Sequence, residues 1–249
     1  MIRNDTEETV DSSASAIAHY NGTAWQYFAA TESPDVVYPT SLKMYLDASN
    51  TTSYPGTGST WFDLTSNGNN GTLSTPSWNS NYFHFNGTSD IVTTSGFYGF
   101  SVQTWAVWVN PDVLERGEFM QTYPSGTIPQ GAMYIEMSNT SGNVEAGVRN
   151  SSGSTISVTS TATLTAGAWT HVAVTSDGSN IKIYIGNAAP VSAAATVSSL
   201  STNTQSLVLG YEPRNTRLWF DGKMSKVRVY DTALTQSEIN VLVAEGSGA

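Results

Sequence analysis

Carboxylates, histidines and aromatic rings are the side chains of this sequence with chemistry to offer, and their spacing restricts what they can do. Cleaving a glycosidic bond from one strand needs two carboxylates on the same face. Period-two alternation provides that only through a run of the E-x-D-x-E kind. No such run is present: Glu115 and Glu118 flank a loop, Glu136 is alone in AMYIEM, and Glu145 is alone in NVEAGV. His19, His84 and His171 lie singly in separate segments, and neither a cysteine nor a G-x-S-x-G serine accompanies them. These residues predict a protein that is not an enzyme, with His171 a packing residue.

Aromatic rings offer a different chemistry, since an open indole or phenol matches the C–H face of a sugar. In SVQTWAVWV, Trp105 and Trp108 are three apart, so a regular strand sends them to opposite faces. Trp78, Tyr82, Tyr123 and Trp219 are further candidates near loops. The stretch WFDLTSNGNNGTL (61–73) resembles a ligand cradle in composition only. A phosphate loop needs G-x-x-x-x-G-K-[ST] and a helix to follow, whereas Gly71 leads directly into Thr72 and Leu73. It reads as a tight reversal in which Asp63 accepts from the loop amides.

The elements that must position these residues are short strands. LKMYLDA, YFHFNG, IVTT, SVQTWAVWV, AMYIEM, VEAGVRN, TISVT, WTHVAVTSD, NIKIYIG, QSLVLGY and KMSKVRVY are rich in β-branched and aromatic residues. Asn86-Gly87, Asp177-Gly178 and Asp221-Gly222 read as turns between them. Such a series predicts an all-β, antiparallel two-sheet sandwich. Near the end, Thr235 and Glu238 form a capping box ahead of Ile239, Leu242 and Val243, with Gly246 as the stop, which predicts one short helix.

Residues 1–40 have another character. An acidic polar start is followed by AIAHYNGTAWQYFAA, a hairpin about Asn21-Gly22, and then by TESPDVVYPT, a linker. Two parts are expected: an arm over 1–40 and a sandwich over 41–249. With a net charge of -10 and sparse cations, the chain has no footprint for nucleic acid. No apolar stretch suits a signal peptide or a membrane span.

Five motifs, in order from 42 to 243, carry a resemblance: YLDASNTTSYPGTGSTWFDLTSNGNNGTL, FHFNGTSDIV, SVQTWAVWVNP, AWTHVAVTSDGSNIKIYIG and LWFDGKMSKVRVYDTALTQSEI. Together they resemble the laminin G-like branch of the concanavalin A-like jelly rolls, in the form carried by bacteriophage virion structural proteins. The resemblance implies that Trp108, just before V-N-P, is the core tryptophan. Trp105 then lies on the other face, either under the loop 115–131 or open to a sugar. It also implies calcium as the candidate cofactor, with Asp47, Asp63, Asn67, Asp90 and Asp221 as candidate ligands. Ser225 stands where many relatives carry an acid in the last strand, which weakens a calcium site there. The implied function is a non-enzymatic capsid decoration, fibre or collar piece on the virion surface. Residues 1–40 would join it to other virion proteins, it would be a homo-oligomer, and host-surface glycan is its candidate ligand. The alternative is a free calcium-dependent lectin or adhesin.

Overall fold

The structure, a computed structural model, describes residues 39–94, 100–122, 130–197, 206–212 and 218–249, and the backbone of 17–20 and 25–28. Among these, the alternating segments form β1 (Ile17–Tyr20), β2 (Trp25–Phe28), β3 (Leu42–Asp47), β4 (Thr60–Trp61), β5 (Gly71–Ser74), β6 (Ser77–Asn79), β7 (Tyr82–Asn86), β8 (Ile91–Thr94) and β9 (Val102–Pro111). There follow β10 (Gly117–Gln121), β11 (Met133–Met137), β12 (Asn143–Arg149), β13 (Thr155–Thr163), β14 (Thr170–Asp177), β15 (Asn180–Ile185), β16 (Val191–Ala194), β17 (Val208–Leu209), β18 (Asp221–Tyr230) and helix α1 (Gln236–Ala244). The stretch 115–131, expected as loop, holds β10 instead.

The chain divides into two compact units, 1–39 and 40–249. In the first, β1 and β2 pair antiparallel, with Tyr20 opposite Trp25. The second is a jelly-roll sandwich of two antiparallel sheets. One runs β13-β12-β11-β10-β17-β8-β5-β4 and the other β16-β15-β14-β9-β18-β7-β6, with β3 also paired to β18. Helix α1 begins at the expected capping box: the Thr235 side chain accepts from the Glu238 amide, and the Glu238 carboxylate accepts from the Thr235 amide.

Asn86-Gly87 and Asp177-Gly178 turn the chain with positive φ at each glycine. Asp221-Gly222 does not: the pair opens β18. Gly222 is needed there for close approach, because a Cβ would stand 2.6 Å from the Asn110 carbonyl oxygen.

The phase of β9 differs from the expectation that the resemblance carried. Trp105, Val107 and Val109 enter the core between the sheets, and Trp105 is wholly buried. Its indole N–H donates to Gln103 Oε1 at 2.9 Å. Trp108 takes the outer face and meets His171 edge-on at 5.4 Å. Trp108 is nonetheless buried, because a second apolar layer lies outside this sheet. Tyr45, Ala106, Ala173, Tyr184, Tyr230, Leu234, Ile239 and Leu242 are all buried yet stand apart from the main core. Trp105→Ala should therefore lower unfolding stability by roughly 3–5 kcal/mol in denaturant melts, the cost of a large core cavity. A loss below 1 kcal/mol would contradict the core placement.

Candidate functional site

The remaining sequence candidates fall in several places. Trp78 is half-buried; its N–H donates to Ala48 O at 3.0 Å and its ring meets Tyr54 edge-on at 5.4 Å. Tyr82 accepts from Asn79 and lies edge-on to Trp169 at 5.9 Å. Tyr123 lies outside the described residues. Trp219 is half-exposed and stacked on Tyr211, with ring centroids 4.0 Å apart and planes 22° from parallel.

The five candidate calcium ligands do not converge. Asp63 accepts from the amides of Tyr45, Thr65 and Asn69 and from the Thr65 hydroxyl, which makes the 61–73 stretch a hydrogen-bonded reversal. Asn67 donates to Lys43 O, Asp47 accepts from Ser49 and Tyr45, and Asp90 accepts from Thr75 and the Asn86 amide. Each closes its own loop. Asp221 alone joins other ligands: among the described residues, His84, Asp112 and Asp221 bring one ligand atom each within 4.8 Å of one another. Register explains this group, since Lys223 pairs with His84 and Asp221 with Asn86. A cation already serves it, because Lys223 Nζ donates to Asp112 while His84 Nε2 lies 2.7 Å from the same carboxylate. Burial works to raise the Asp112 pKa, but Lys223 and His84 outweigh it and hold the carboxyl below its ordinary range.

The richest polar cluster on a sheet face was invisible in the sequence. In β11, Ile135 and Met137 enter the core, so Tyr134 and Glu136 face outward. Antiparallel pairing then sets Glu118, Glu136 and Glu145 opposite one another across β10, β11 and β12. A neighbouring row carries Gln121, Tyr134 and Gly147. Three carboxylates read as isolated are thus one cross-strand row, with partners about 4.5–5.5 Å apart at Cα.

Like charges so placed repel, and the surface compensates. Arg116 donates to Glu136 Oε1 from Nη2 at 2.8 Å and from Nε at 3.1 Å. The Tyr134 hydroxyl donates to Glu145. Burial still pushes the Glu136 carboxyl above its ordinary range, with Arg116 pulling it back. Gly147 lets the Tyr134 ring lie across the strand: a Cβ there would be 2.2 Å from Tyr134 Cε1. At the β17 end, Gln121 Nε2 donates to Tyr211 O at 3.2 Å, joining this face to the Tyr211–Trp219 stack. Glu118, Glu136 and Gln121 are buried, so the accessible groups here are Arg116, Tyr134 and Glu145, with the partly exposed Tyr211 and Trp219 rings joined through Gln121. A guanidinium, a carboxylate and aromatic rings can bind a polyhydroxylated ligand through hydroxyl hydrogen bonds and ring stacking.

Comparison with known proteins agrees with this architecture. The concanavalin A-like lectin/glucanases superfamily, in its Laminin_G_3 form, matches residues 79–240, and the chain belongs to that family. Similar solved structures include the binding domain of Paraclostridial Mosquitocidal Protein 1, with a TM-score of 0.60 and 16% identity over 82% of this chain and 52% of that one. Domain 4 of AbnA, a GH43 extracellular arabinanase from Geobacillus stearothermophilus solved with arabinotriose, has a TM-score of 0.59 and 18% identity over 81% of this chain and 98% of that one. The binding domain of botulinum neurotoxin serotype D has a TM-score of 0.58 and 14% identity over 83% and 52%. The chain thus spans about half the length of the two toxin domains. No curated protein sequence matches it.

His171 is a packing residue against Trp108. Burial, reinforced by the charge of Arg228, pushes its pKa down to about 3. The folded state therefore refuses a proton that the unfolded imidazole accepts, so its contribution is full above the ordinary 6.5 and falls away towards 3. Denaturant unfolding between about pH 6.5 and 5, above the carboxylate range, should show stability falling with pH. His171→Gln should flatten that slope; an unchanged slope would refute the assignment.

Proposed function

We propose that the jelly roll is a non-enzymatic glycan-binding module whose contact face is the outer surface of β10, β11 and β12 with the Tyr211–Trp219 stack. The observation that carries this reading is the Glu118–Glu136–Glu145 row. Its buried member Glu136 fixes the exposed Arg116 at the face, Tyr134 orders the partly exposed Glu145 as an acceptor, and Gln121 joins the row to the stacked aromatic pair. The similarity to two toxin binding domains and to an arabinanase domain solved with arabinotriose supports binding rather than turnover. The virion setting rests on the form of the sequence motifs. In that setting residues 1–40, a separate unit with a hairpin, attach the head to other virion proteins, and the head displays its face to host-surface glycan.

A glycan array probed with the full chain tests the binding face. Trp219→Ala should weaken the best ligand about five- to tenfold, the worth of one stacking contact. Glu136→Gln should weaken it further by unseating Arg116. Equal binding by both variants would refute the face, and hydrolysis of a bound glycan would refute the non-enzymatic reading. Loss of binding in chelator would instead favour the calcium-dependent lectin. For the virion role, deleting residues 1–40 should abolish incorporation into particles, and retained incorporation would exclude the anchor.

A further inference from the structure

The outer face of the second sheet carries a recess of about 540 Å³, between β14, β15 and β16 and the segment Ala233–Gln236 that leads into α1. Its floor is another register row: Thr175 pairs with Lys182, and Lys182 with Ser192. A hydroxyl, an ammonium and a second hydroxyl therefore stand side by side. Tyr184 follows Lys182 by two residues and shares its face. Asp177 lies 3.6 Å from Lys182. Burial works to raise its pKa, but the Ser179 and Asn180 amides and Lys182 outweigh this, so it stays a carboxylate. Pro190, Ala233 and Leu234 add apolar wall.

Two hydroxyls point to a ligand. Thr175 is 2% exposed and Tyr184 is 4% exposed, both line the recess, and neither hydroxyl has a hydrogen-bond partner among the described residues. Thr104, next to Thr175 in the same row, shows the contrast. Its hydroxyl donates to Thr232 O at 2.6 Å and accepts from the Leu234 amide at 2.9 Å. Both side chains are buried, but their hydroxyl oxygens open into the recess rather than being sealed from it, so each is free to exchange a hydrogen bond with whatever fills that space.

We propose that this recess is a subsite for one neutral, polyhydroxylated sugar ring. Thr175, Tyr184 and Ser192 exchange hydrogen bonds with its hydroxyls, Lys182 donates and Asp177 accepts, and Leu234 and Pro190 cover a C–H face. An anion would meet Asp177 in a chain of net charge -10, and a cation would meet Lys182. A polyol uses donors and acceptors together. The volume lies within the roughly 300–1,000 Å³ of small-molecule sites. The subsite shares no residue with the β10–β12 face and lies on the opposite side of the sandwich.

The test is an NMR titration of the full chain with free glucose, galactose, N-acetylglucosamine and arabinose. At least one sugar should shift the Thr175, Lys182, Tyr184 and Ser192 signals with a Kd on the order of 1 mM. Tyr184→Phe and Thr175→Val remove only hydroxyls that bond nothing among the described residues, so both should keep the wild-type melting temperature. Each should weaken the sugar about tenfold, the loss of one hydrogen bond to ligand. No shift at these residues with any sugar, wild-type affinity in both variants, or a preference for inorganic phosphate would overturn the proposal. Trp219→Ala separates the two sites. Array binding lost in that variant, with no monosaccharide in the recess, would remove the subsite and leave the face standing. Recess binding without array binding would do the reverse.

Discussion

The second sheet depends on a bulge in β18. Up to Met224 this strand bonds to β7, and from Lys226 onward it bonds to β3, while β9 lies along its other flank. Between Met224 and Val227 the register shifts, and both of those residues enter the core. Without the extra residue, Val227 and Val229 would turn outward and Arg228 and Tyr230 inward, since a one-residue slip reverses every side chain. The bulge is fastened from outside: Ser225 donates to Ser247 O and Lys226 to Gly246 O. Arg228 lies 4.0 Å over the Tyr45 ring and pairs with Glu245. One irregularity thus fixes the inward phase of β18 and the course of the chain after α1. The serine that departs from the family's acidic position belongs to this fastening.

The double burial of this sheet explains which features the sequence could reveal. Alternation and Asn-Gly signals were enough for most strands, and Thr235 with Glu238 sufficed for the helix. The role of Asp63 was legible because all its partners lie within a few residues or on the adjoining strand. The phase of β9 was not. In SVQTWAVWV both parities are apolar, and both end up buried, so alternation could not say which tryptophan entered the core. The short run GEFMQ, opened by glycine and carrying a glutamate, lacked the composition of a strand and was hidden inside an expected loop.

The polar surfaces were illegible for a different reason. Glu118, Glu136 and Glu145 come from three strands, as do Thr175, Lys182 and Ser192. Their meeting is set by register, which depends on bulges and on which face is buried, and no local window contains that information. Carboxylates paired along one strand stand two residues apart in the sequence, whereas these are paired across strands. Gly147 is the clearest trace left in the sequence, a glycine inside a strand marking the place where the Tyr134 ring lies flat.

The outer surfaces of a two-sheet sandwich point in opposite directions, and here both carry polar rows while the apolar residues between them hold the sheets together. A domain that engages saccharide on each side has a valency of two within a single chain. It can bridge neighbouring polysaccharide strands and agglutinate surfaces that bear them, and its avidity would not depend on assembling copies of itself.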